Sequence, residues 1–204
     1  MEQFLEGYRR FRADYFERNK DMLKSLMAKG QSPKAMMIAC SDSRIDPGLK
    51  FGADPGDIFM VRNVANLVPP YAPDRSLHGT SAALEFAVGV LKVEHVIVMG
   101  HAKCGGIGAL LQQPAAGVDF VKAWMTIAWQ AREKALAVAE GDTMDVQRRC
   151  ELEAVKVSLK NLHTFPWVEE RVAAGQLTLH GWYFDLETGL LHALGEDGEF
   201  RPVT

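Results

Sequence analysis

Residues 36–44 read Met-Met-Ile-Ala-Cys-Ser-Asp-Ser-Arg, an apolar run that stops at a cysteine and continues with a carboxylate and a guanidinium at steps of two. The apolar residues 35–39, followed by small polar ones, predict a buried strand that opens into a loop. In open α/β sheets, ligands bind just beyond the carboxyl ends of strands. We therefore expect the chemistry of the protein to lie at Cys40, Asp42 and Arg44.

The composition is that of a globular protein: 204 residues, 48% of them hydrophobic and 24% charged. A net charge of −3 argues against a general nucleic-acid binder. The apolar runs are far shorter than the ~20 residues that span a bilayer, and the charged N-terminus lacks the apolar core of a secretory signal. We therefore expect a cytoplasmic protein whose three cysteines are metal ligands, catalytic groups or buried small hydrophobes.

Residues 2–29 predict one or two amphipathic helices, because aromatic and aliphatic residues recur at threes, fours and sevens among charged ones. Gly30 is expected to end this segment. Residues 1–30 would then form a helical arm. The pattern alone does not decide whether the arm packs on its own domain or on a neighbouring subunit.

The next elements predict a parallel sheet. Asp46 and a following proline predict a short helix, and residues 58–61 predict a second buried strand. A helix is expected over residues 76–92 and a third strand over residues 96–99. Strand, helix and strand at this spacing form a βαβ unit. The expected apolar face of the helix consists of Leu77, Ala83, Leu84, Ala87, Val88 and Leu91.

Residues 118–163 are predicted to be mostly helical, with a break at residues 141–142 after which Asp142 or Thr143 caps the next helix. A short helix starts at Pro166, and residues 177–184 and 190–194 predict two strands joined by a tight turn. The prediction is a single α/β domain over residues 1–204, with a mainly parallel central sheet flanked by helices and an N-terminal helical arm.

The strongest candidate ligands follow two of these strands: Cys40 after the first, His101 and Cys104 after the third. Two thiolates and an imidazole with an open fourth position form a known catalytic zinc arrangement. A closed structural site would need a fourth protein ligand, for which Asp42 is the best candidate. Gly105, like the glycine after it, would let the backbone approach closely.

Asp42 and Arg44 can interact, because residues two apart in an extended segment share a face. The arginine would hold the carboxylate bidentately and favour its ionised form. The pair could be an ordinary solvated ion pair. Alternatively, since Asp42 lies two residues from a candidate ligand, it could accept a hydrogen bond from a metal-bound hydroxide.

Three segments, residues 40–44, 62–66 and 100–106, resemble the signature segments of the β-class carbonic anhydrases. Their order and spacing also agree, over about residues 31–110. The resemblance implies an α/β fold with a mainly parallel sheet and a homodimer or higher assembly built on exchanged N-terminal helices. It also implies carbon dioxide and bicarbonate as substrates.

The resemblance further implies one zinc ion per chain, held by Cys40, His101 and Cys104. Asp42, paired with Arg44, would orient a zinc-bound hydroxide or, in a closed inactive form, displace it as fourth ligand.

The surroundings of the zinc resemble the plant-type subgroup of the family. Gln31 matches a glutamine that helps bind substrate there. Phe59, Val64 and Leu84 would line an apolar carbon dioxide pocket, with Gly105 as a further substrate-binding position. No tryptophan precedes the first strand, unlike in the bicarbonate-regulated subgroup, so an open zinc site is expected.

The chain departs from some plant-type enzymes at two positions that concern the route by which protons leave the site. Phe86 and Val90 stand where some plant enzymes have a tyrosine and a histidine proposed to move protons. His78, His95 and His163 could carry charge near neutral pH, but their polar settings favour surface histidines.

The leading interpretation is reversible hydration of carbon dioxide to bicarbonate and a proton by zinc-bound hydroxide, without nucleic acid or membrane. In one alternative, the same zinc site hydrolyses carbon disulfide or carbonyl sulfide. Another makes the zinc structural, with Asp42 permanently bound in a non-catalytic binding protein. A redox pair between Cys40 and Cys104 is weaker because no Cys-x-x-Cys is present, and Cys150 is most simply a packing residue.

Overall fold

The computed structural model describes residues 1–74, 76–112, 119–137 and 144–203. Its framework is a six-stranded sheet in the order β2-β1-β3-β4-β5-β6. The first four of these strands are parallel to one another, β5 is antiparallel to β4, and β6 is antiparallel to β5. The expected mainly parallel sheet is confirmed. The strands are β1 (Ala35–Cys40), β2 (Ile58–Asn63), β3 (His95–His101), β4 (Thr178–Phe184), β5 (Leu191–Leu194) and β6 (Phe200–Pro202).

Helices cover this sheet and precede it as an arm. Within the described residues they are α1 (Glu2–Phe11), α2 (Lys20–Lys29), α3 (Pro47–Phe51), α4 (Gly79–Glu85), α5 (Gly105–Gln112), α6 (Asp119–Met125), α7 (Trp129–Leu136), α8 (Val146–Leu162) and α9 (Pro166–Ala173). Wider π-type turns follow α1 at Arg12–Phe16 and α4 at Phe86–Val90. None of the described helices is long and apolar enough to cross a bilayer.

The N-terminal arm lies on the surface of the chain. Neither α1 nor α2 contains a buried residue, and Phe4 and Tyr8 are 72% and 58% exposed. Gly30 ends α2 at a φ of 76°, as predicted from its lack of a side chain. The arm contacts the body where Tyr15 donates a hydrogen bond to the Asp54 carboxylate at 3.1 Å.

Strand register brings the candidate ligands to one edge of the sheet. Cys40 pairs with Asn63 on one side, and Ala39 pairs with Met99 on the other. Since these strands are parallel, the ends of β1, β2 and β3 lie side by side. His101, the last residue of β3, therefore lies beside the loop that follows Cys40.

Helix α8 is the central packing element. It buries Ala154, Val155, Val157 and Leu162, and it contacts both β3 and β4. Val155 meets the sheet closely, since a Cβ added at Gly100 would lie 2.7 Å from its Cγ2. This contact fixes the distance of α8 from β3 one residue before His101.

The structure corrects two of the predicted elements and adds a third. Strand β2 is half-buried rather than buried, because it lies at the edge of the described sheet. The helix expected from residue 76 starts at Gly79, since the Asp74 carboxylate accepts a hydrogen bond from the Ser76 amide and holds a turn there. Leu77 is fully exposed and does not belong to an apolar face. Strand β6 was not predicted.

The predicted caps Asp142 and Thr143 lie outside the described residues. Helix α8 is capped by Asp145, whose side chain accepts a hydrogen bond from the Arg148 amide at 3.1 Å. The short helices at Asp46 and Pro166 form as predicted, with Asp46 accepting from the Leu49 amide.

Candidate metal centre

The ends of β1 and β3 bring the three predicted ligands together. Cys40 is 5% exposed, and His101 and Cys104 are each 1% exposed. One ligand atom from each residue lies within 4.8 Å of the other two. Cys104 directly precedes α5, whose Gly108 amide donates to the Cys104 carbonyl at 2.9 Å.

The tautomer of His101 is set by its neighbour. Its Nδ1 lies 2.9 Å from the carbonyl oxygen of Ala102, and because a carbonyl can only accept, Nδ1 carries the proton. In the neutral ring Nε2 then bears the lone pair, and this atom is buried without a geometric hydrogen-bond partner. An unpaired buried acceptor is costly, and a metal ion is the partner that such a nitrogen fits.

The two thiols have the spacing that zinc needs. Their sulfur atoms lie 4.0 Å apart, and two sulfurs bound at ~2.3 Å to one tetrahedral zinc are separated by about 3.8 Å. The hydrogen bond between them lowers the pKa of Cys40 and, with burial, raises the pKa of Cys104. A dication between the sulfurs favours the thiolate form of both, so this donor set fits zinc.

Asp42 is held beside this group by Arg44, as predicted. Arg44 donates from Nε to Asp42 Oδ1 at 2.9 Å and from Nη2 to Oδ2 at 2.7 Å. These bonds hold the pKa of the Asp42 carboxyl well below its ordinary value. Arg44 also donates to the Lys103 carbonyl at 2.9 Å, which ties the loop after β1 to the loop after β3.

Asp42 lies just outside the ligand group. Its Oδ2 is 4.0 Å from His101 Nε2, whereas two ligand atoms on one tetrahedral zinc at ~2.0–2.1 Å would be about 3.3 Å apart. Both carboxylate oxygens are already engaged by Arg44. The arrangement therefore has three candidate metal ligands with a carboxylate fixed just outside them.

Arg62 has a role that the sequence did not reveal. Its guanidinium donates to the carbonyl oxygens of Cys40 at 2.9 Å and Asp42 at 2.7 Å, and also to that of Ile45. The loop that carries Cys40 and Asp42 is thus fastened to the end of β2. The sequence shows an arginine at the end of a predicted strand, but the pattern does not indicate that its side chain binds backbone carbonyl groups.

Only one of the two glycines after Cys104 allows a close approach. A Cβ at Gly106 would lie 2.9 Å from Val64 Cγ1 and 3.0 Å from Ala65 Cβ, whereas a Cβ at Gly105 would meet nothing within 4 Å. Within the single chain, no close contact requires a glycine at Gly105, and its predicted place in the substrate site stays a prediction. Val64 lies beside the loop of Cys104, and it also lines an open groove of about 650 Å³.

The other predicted pocket residues are not gathered at the centre. Leu84 is fully buried in the core against the sheet, and Phe59 packs on that core with its ring 5.8 Å from Phe86. Neither lines the groove beside Val64. Within one chain, these two residues form packing rather than a pocket wall.

Gln31 lies at the wrong end of β1 to reach the metal ligands of its own chain. It is exposed and precedes the strand whose last residue is Cys40. A strand of this length spans about 20 Å. The prediction that Gln31 helps bind substrate is therefore not met by a single chain.

The candidate proton carriers have partners outside the ligand group, although His78 lines the same groove as Val64. His78 contacts Asp74 at 2.8 Å and His163 contacts Glu169 at 2.6 Å, both on the surface. His95 begins β3, at the end of the strand opposite His101. Phe86 and Val90 are 42% and 64% exposed.

Comparisons with known proteins agree with this geometry. The sequence model of the carbonic anhydrase family matches residues 35–191. The chain is 43% identical over 175 residues to β carbonic anhydrase 5, chloroplastic, of Arabidopsis thaliana, covering 84% of this chain and 56% of that protein. It is 36% identical over 192 residues to a carbonic anhydrase of Synechococcus elongatus, covering 93% and 70%. The chain thus spans little more than half the length of the Arabidopsis relative.

Solved structures show the same likeness. The β-carbonic anhydrase CcaA superposes with a TM-score of 0.92 at 33% identity, covering 100% of this chain and 92% of that one. A β-carbonic anhydrase of Sordaria macrospora, described as tetrameric, gives a TM-score of 0.80 at 28% identity, covering 100% and 98%. With its family match, its relatives and its Cys-His-Cys group, this chain belongs to the β-class carbonic anhydrases.

Proposed function

We propose that this chain catalyses the reversible hydration of carbon dioxide to bicarbonate and a proton, with one zinc ion held by Cys40, His101 and Cys104. The observation that carries the proposal is the buried, unpartnered Nε2 of His101 grouped with two thiols, next to a carboxylate fixed by an arginine. When bound, zinc supplies a Lewis acid that turns water into a nucleophile near neutral pH.

Asp42 is the residue that we propose to orient the attacking oxygen. Its low pKa keeps it ionised, so it can accept a hydrogen bond but cannot donate one. Arg44 fixes the direction of its lone pairs. A hydroxyl whose proton points to Asp42 has its own lone pair free to face the carbon of the substrate.

The geometry supports this open arrangement over a structural zinc site with Asp42 as fourth ligand. Coordination by Asp42 would require Oδ2, which accepts a hydrogen bond from Arg44 Nη2 at 2.7 Å, to move closer to His101 Nε2 than its present 4.0 Å. Nothing in the described residues favours carbon disulfide or carbonyl sulfide over carbon dioxide.

We propose further that the active form is a homo-oligomer built through the N-terminal arm. The apolar side chains of α1 are exposed in the single chain, and so are Leu77 and Phe120 in the groove beside Val64. A second copy could also supply Gln31, which its own chain keeps at the far end of β1. A cytoplasmic location stays a prediction.

The variant Asp42→Asn tests the role of the carboxylate. We expect zinc content to remain near one per chain and the hydration rate to fall about 10- to 100-fold, the equivalent of one hydrogen bond to a charged group. Zinc content is measured by atomic absorption on the same preparation that is used for stopped-flow hydration. Loss of zinc together with activity would instead identify Asp42 as a structural ligand.

A further inference from the structure

Helix α8 carries a buried carboxylate that the proposed reaction does not use. Glu151 is 3% exposed. Glutamate is almost never buried to this extent without partners, because removing the charge from water is expensive. What Glu151 contacts therefore indicates what it does.

One oxygen of Glu151 holds the backbone of a metal ligand. Oε1 accepts a hydrogen bond from the Cys104 amide at 2.8 Å and a second from Gln147 Nε2 at 2.9 Å. Gln147 Nε2 also lies 3.3 Å from the Cys104 carbonyl oxygen. Helix α8 thus engages both backbone polar groups of Cys104 through two side chains one turn apart.

The other oxygen connects to the sheet. Oε2 accepts a hydrogen bond from the Tyr183 hydroxyl at 2.8 Å. Tyr183 is fully buried on β4, and the Arg148 guanidinium lies over its ring at 5.4 Å. Burial raises the pKa of Glu151, and the three neutral donors around it oppose that rise. The carboxylate is held rigidly between α8, β4 and Cys104.

This rigidity matters because the metal ligands come from separate elements. Cys104 follows a short loop in which Lys103 adopts a positive φ of 56°, so its position is not set by strand geometry as that of His101 is. Residues that orient metal ligands from outside the ligand set tune affinity strongly. Glu151 is placed to do this through the Cys104 amide.

We propose that Glu151 is a positioning residue that, with Gln147 and Tyr183, holds Cys104 so that its sulfur faces Cys40 Sγ and His101 Nε2. The inference rests on the proposed zinc site. The competing explanation is that Glu151 merely ties α8 to β4 and affects only the stability of the fold.

The test compares Glu151→Gln and Tyr183→Phe with Glu153→Gln as a matched control. Glu153 lies on the same helix but pairs with Lys134 and Lys156, away from the centre. The full chain is stripped of metal, and its dissociation constant for zinc is measured by competition with a chromophoric chelator. We expect Glu151→Gln to weaken zinc binding about 10- to 100-fold, Tyr183→Phe to weaken it less, and Glu153→Gln to leave it unchanged.

Cobalt replacement gives a second readout that a purely structural role would not change. The visible bands of Co²⁺ report the geometry of the sulfur and nitrogen ligands. We expect these bands to shift in Glu151→Gln and Tyr183→Phe and to match the wild type in Glu153→Gln. The thermal midpoint of each metal-free variant separates effects on the site from effects on the fold.

An unchanged zinc affinity and cobalt spectrum in both site variants, with a lowered thermal midpoint, would overturn the proposal. If Glu151→Gln does not fold, the zinc affinity and cobalt spectrum of Tyr183→Phe and Gln147→Met test the proposal instead. Each of these substitutions removes hydrogen-bond donors while nearly keeping the size of the side chain. A wild-type chain that binds zinc without hydrating carbon dioxide would refute the proposed function alone, because these readouts do not depend on turnover.

Discussion

At the scale of single residues, Asp42 shows how a charged partner determines both chemistry and pH dependence. The Arg44 bonds depress the pKa of the folded-state carboxyl below the ordinary value of about 3.9. A group with a depressed folded pKa stabilises the protein above its unfolded pKa, and this contribution is lost as the pH falls toward the folded pKa.

We therefore expect metal-free Asp42→Asn to have a lower thermal midpoint than the metal-free wild type at pH 6, and the difference to shrink between about pH 4 and pH 2. Calorimetry at a series of pH values measures both proteins, and chelator in every buffer removes the effect of zinc loss in acid. A difference that stays constant down to pH 2 would contradict the assigned ion pair.

The two glycines after Cys104 make a matched pair for testing the packing of the centre. Gly106→Ala would push a methyl group against Val64 and Ala65, and overpacking of this kind costs about 1–3 kcal/mol. Gly105→Ala meets open space and removes the cost of glycine in a helix. We expect denaturant unfolding to show a clear loss of stability for Gly106→Ala and none for Gly105→Ala. Equal effects would mean that the close contact does not exist.

The candidate metal ligands could be predicted from the sequence, whereas the residues that contact them from neighbouring elements could not. Cys40, His101 and Cys104 are rare ligand types at strand ends, where the chemistry of parallel sheets is found. Glu151 lies 47 positions from Cys104 in the middle of a helix, where nothing distinguishes it from a solvated glutamate. Only the packing of α8 on β3 and β4 reveals that it is buried.

At the scale of elements, the loop after β1 depends on a side chain from β2. Arg62 donates to the carbonyl oxygens of Cys40, Asp42 and Ile45, and hydrogen bonds from a charged donor are stronger than those between neutral groups. Through Arg62, strand β2 therefore holds the backbone at Cys40 and Asp42 in place.

Arg62→Met should loosen this loop while leaving the sheet intact. We expect faster hydrogen exchange at the Ile45 amide, which donates to the Asp42 carbonyl inside the loop, and a lower hydration rate. Lys160→Met, at an exposed position of α8, serves as the control with a comparable loss of charge. Unchanged exchange at Ile45 would show that the loop holds itself without Arg62.

Hydrophobic periodicity predicted where the strands and helices lie in the sequence better than it predicted their order and burial in the sheet. It located β1, β3 and the hairpin of β4 and β5, because their apolar runs are dense. It assigned β2 to the interior, because strand order depends on contacts between segments far apart in the chain. It missed β6, a strand of three residues ending in proline, since so short a run has no measurable period.

At the scale of the whole molecule, a single chain brings the candidate metal ligands together, but its exposed arm and Gln31 have no role within that chain. The exposed apolar side chains of α1 are the kind that a second copy would bury. The resemblance implied an assembly, whereas the residue pattern of the arm left its partner open.

Deletion of residues 1–29 should reduce the size of the assembly. Light scattering behind size-exclusion chromatography measures the mass of the full chain and of the shortened one. We expect a multiple of the chain mass for the former and a smaller multiple for the latter. Equal multiples would exclude the arm as the element that joins subunits.

The most direct test of the central claim is stopped-flow carbon dioxide hydration at pH 7 and pH 8.5, with zinc content measured on the same preparation. We predict about one zinc per chain and rapid turnover that increases with pH, because deprotonation supplies the nucleophile. One zinc per chain without turnover at either pH would contradict the proposed function. The structural-zinc and sulfur-substrate alternatives would then have to be tested in its place.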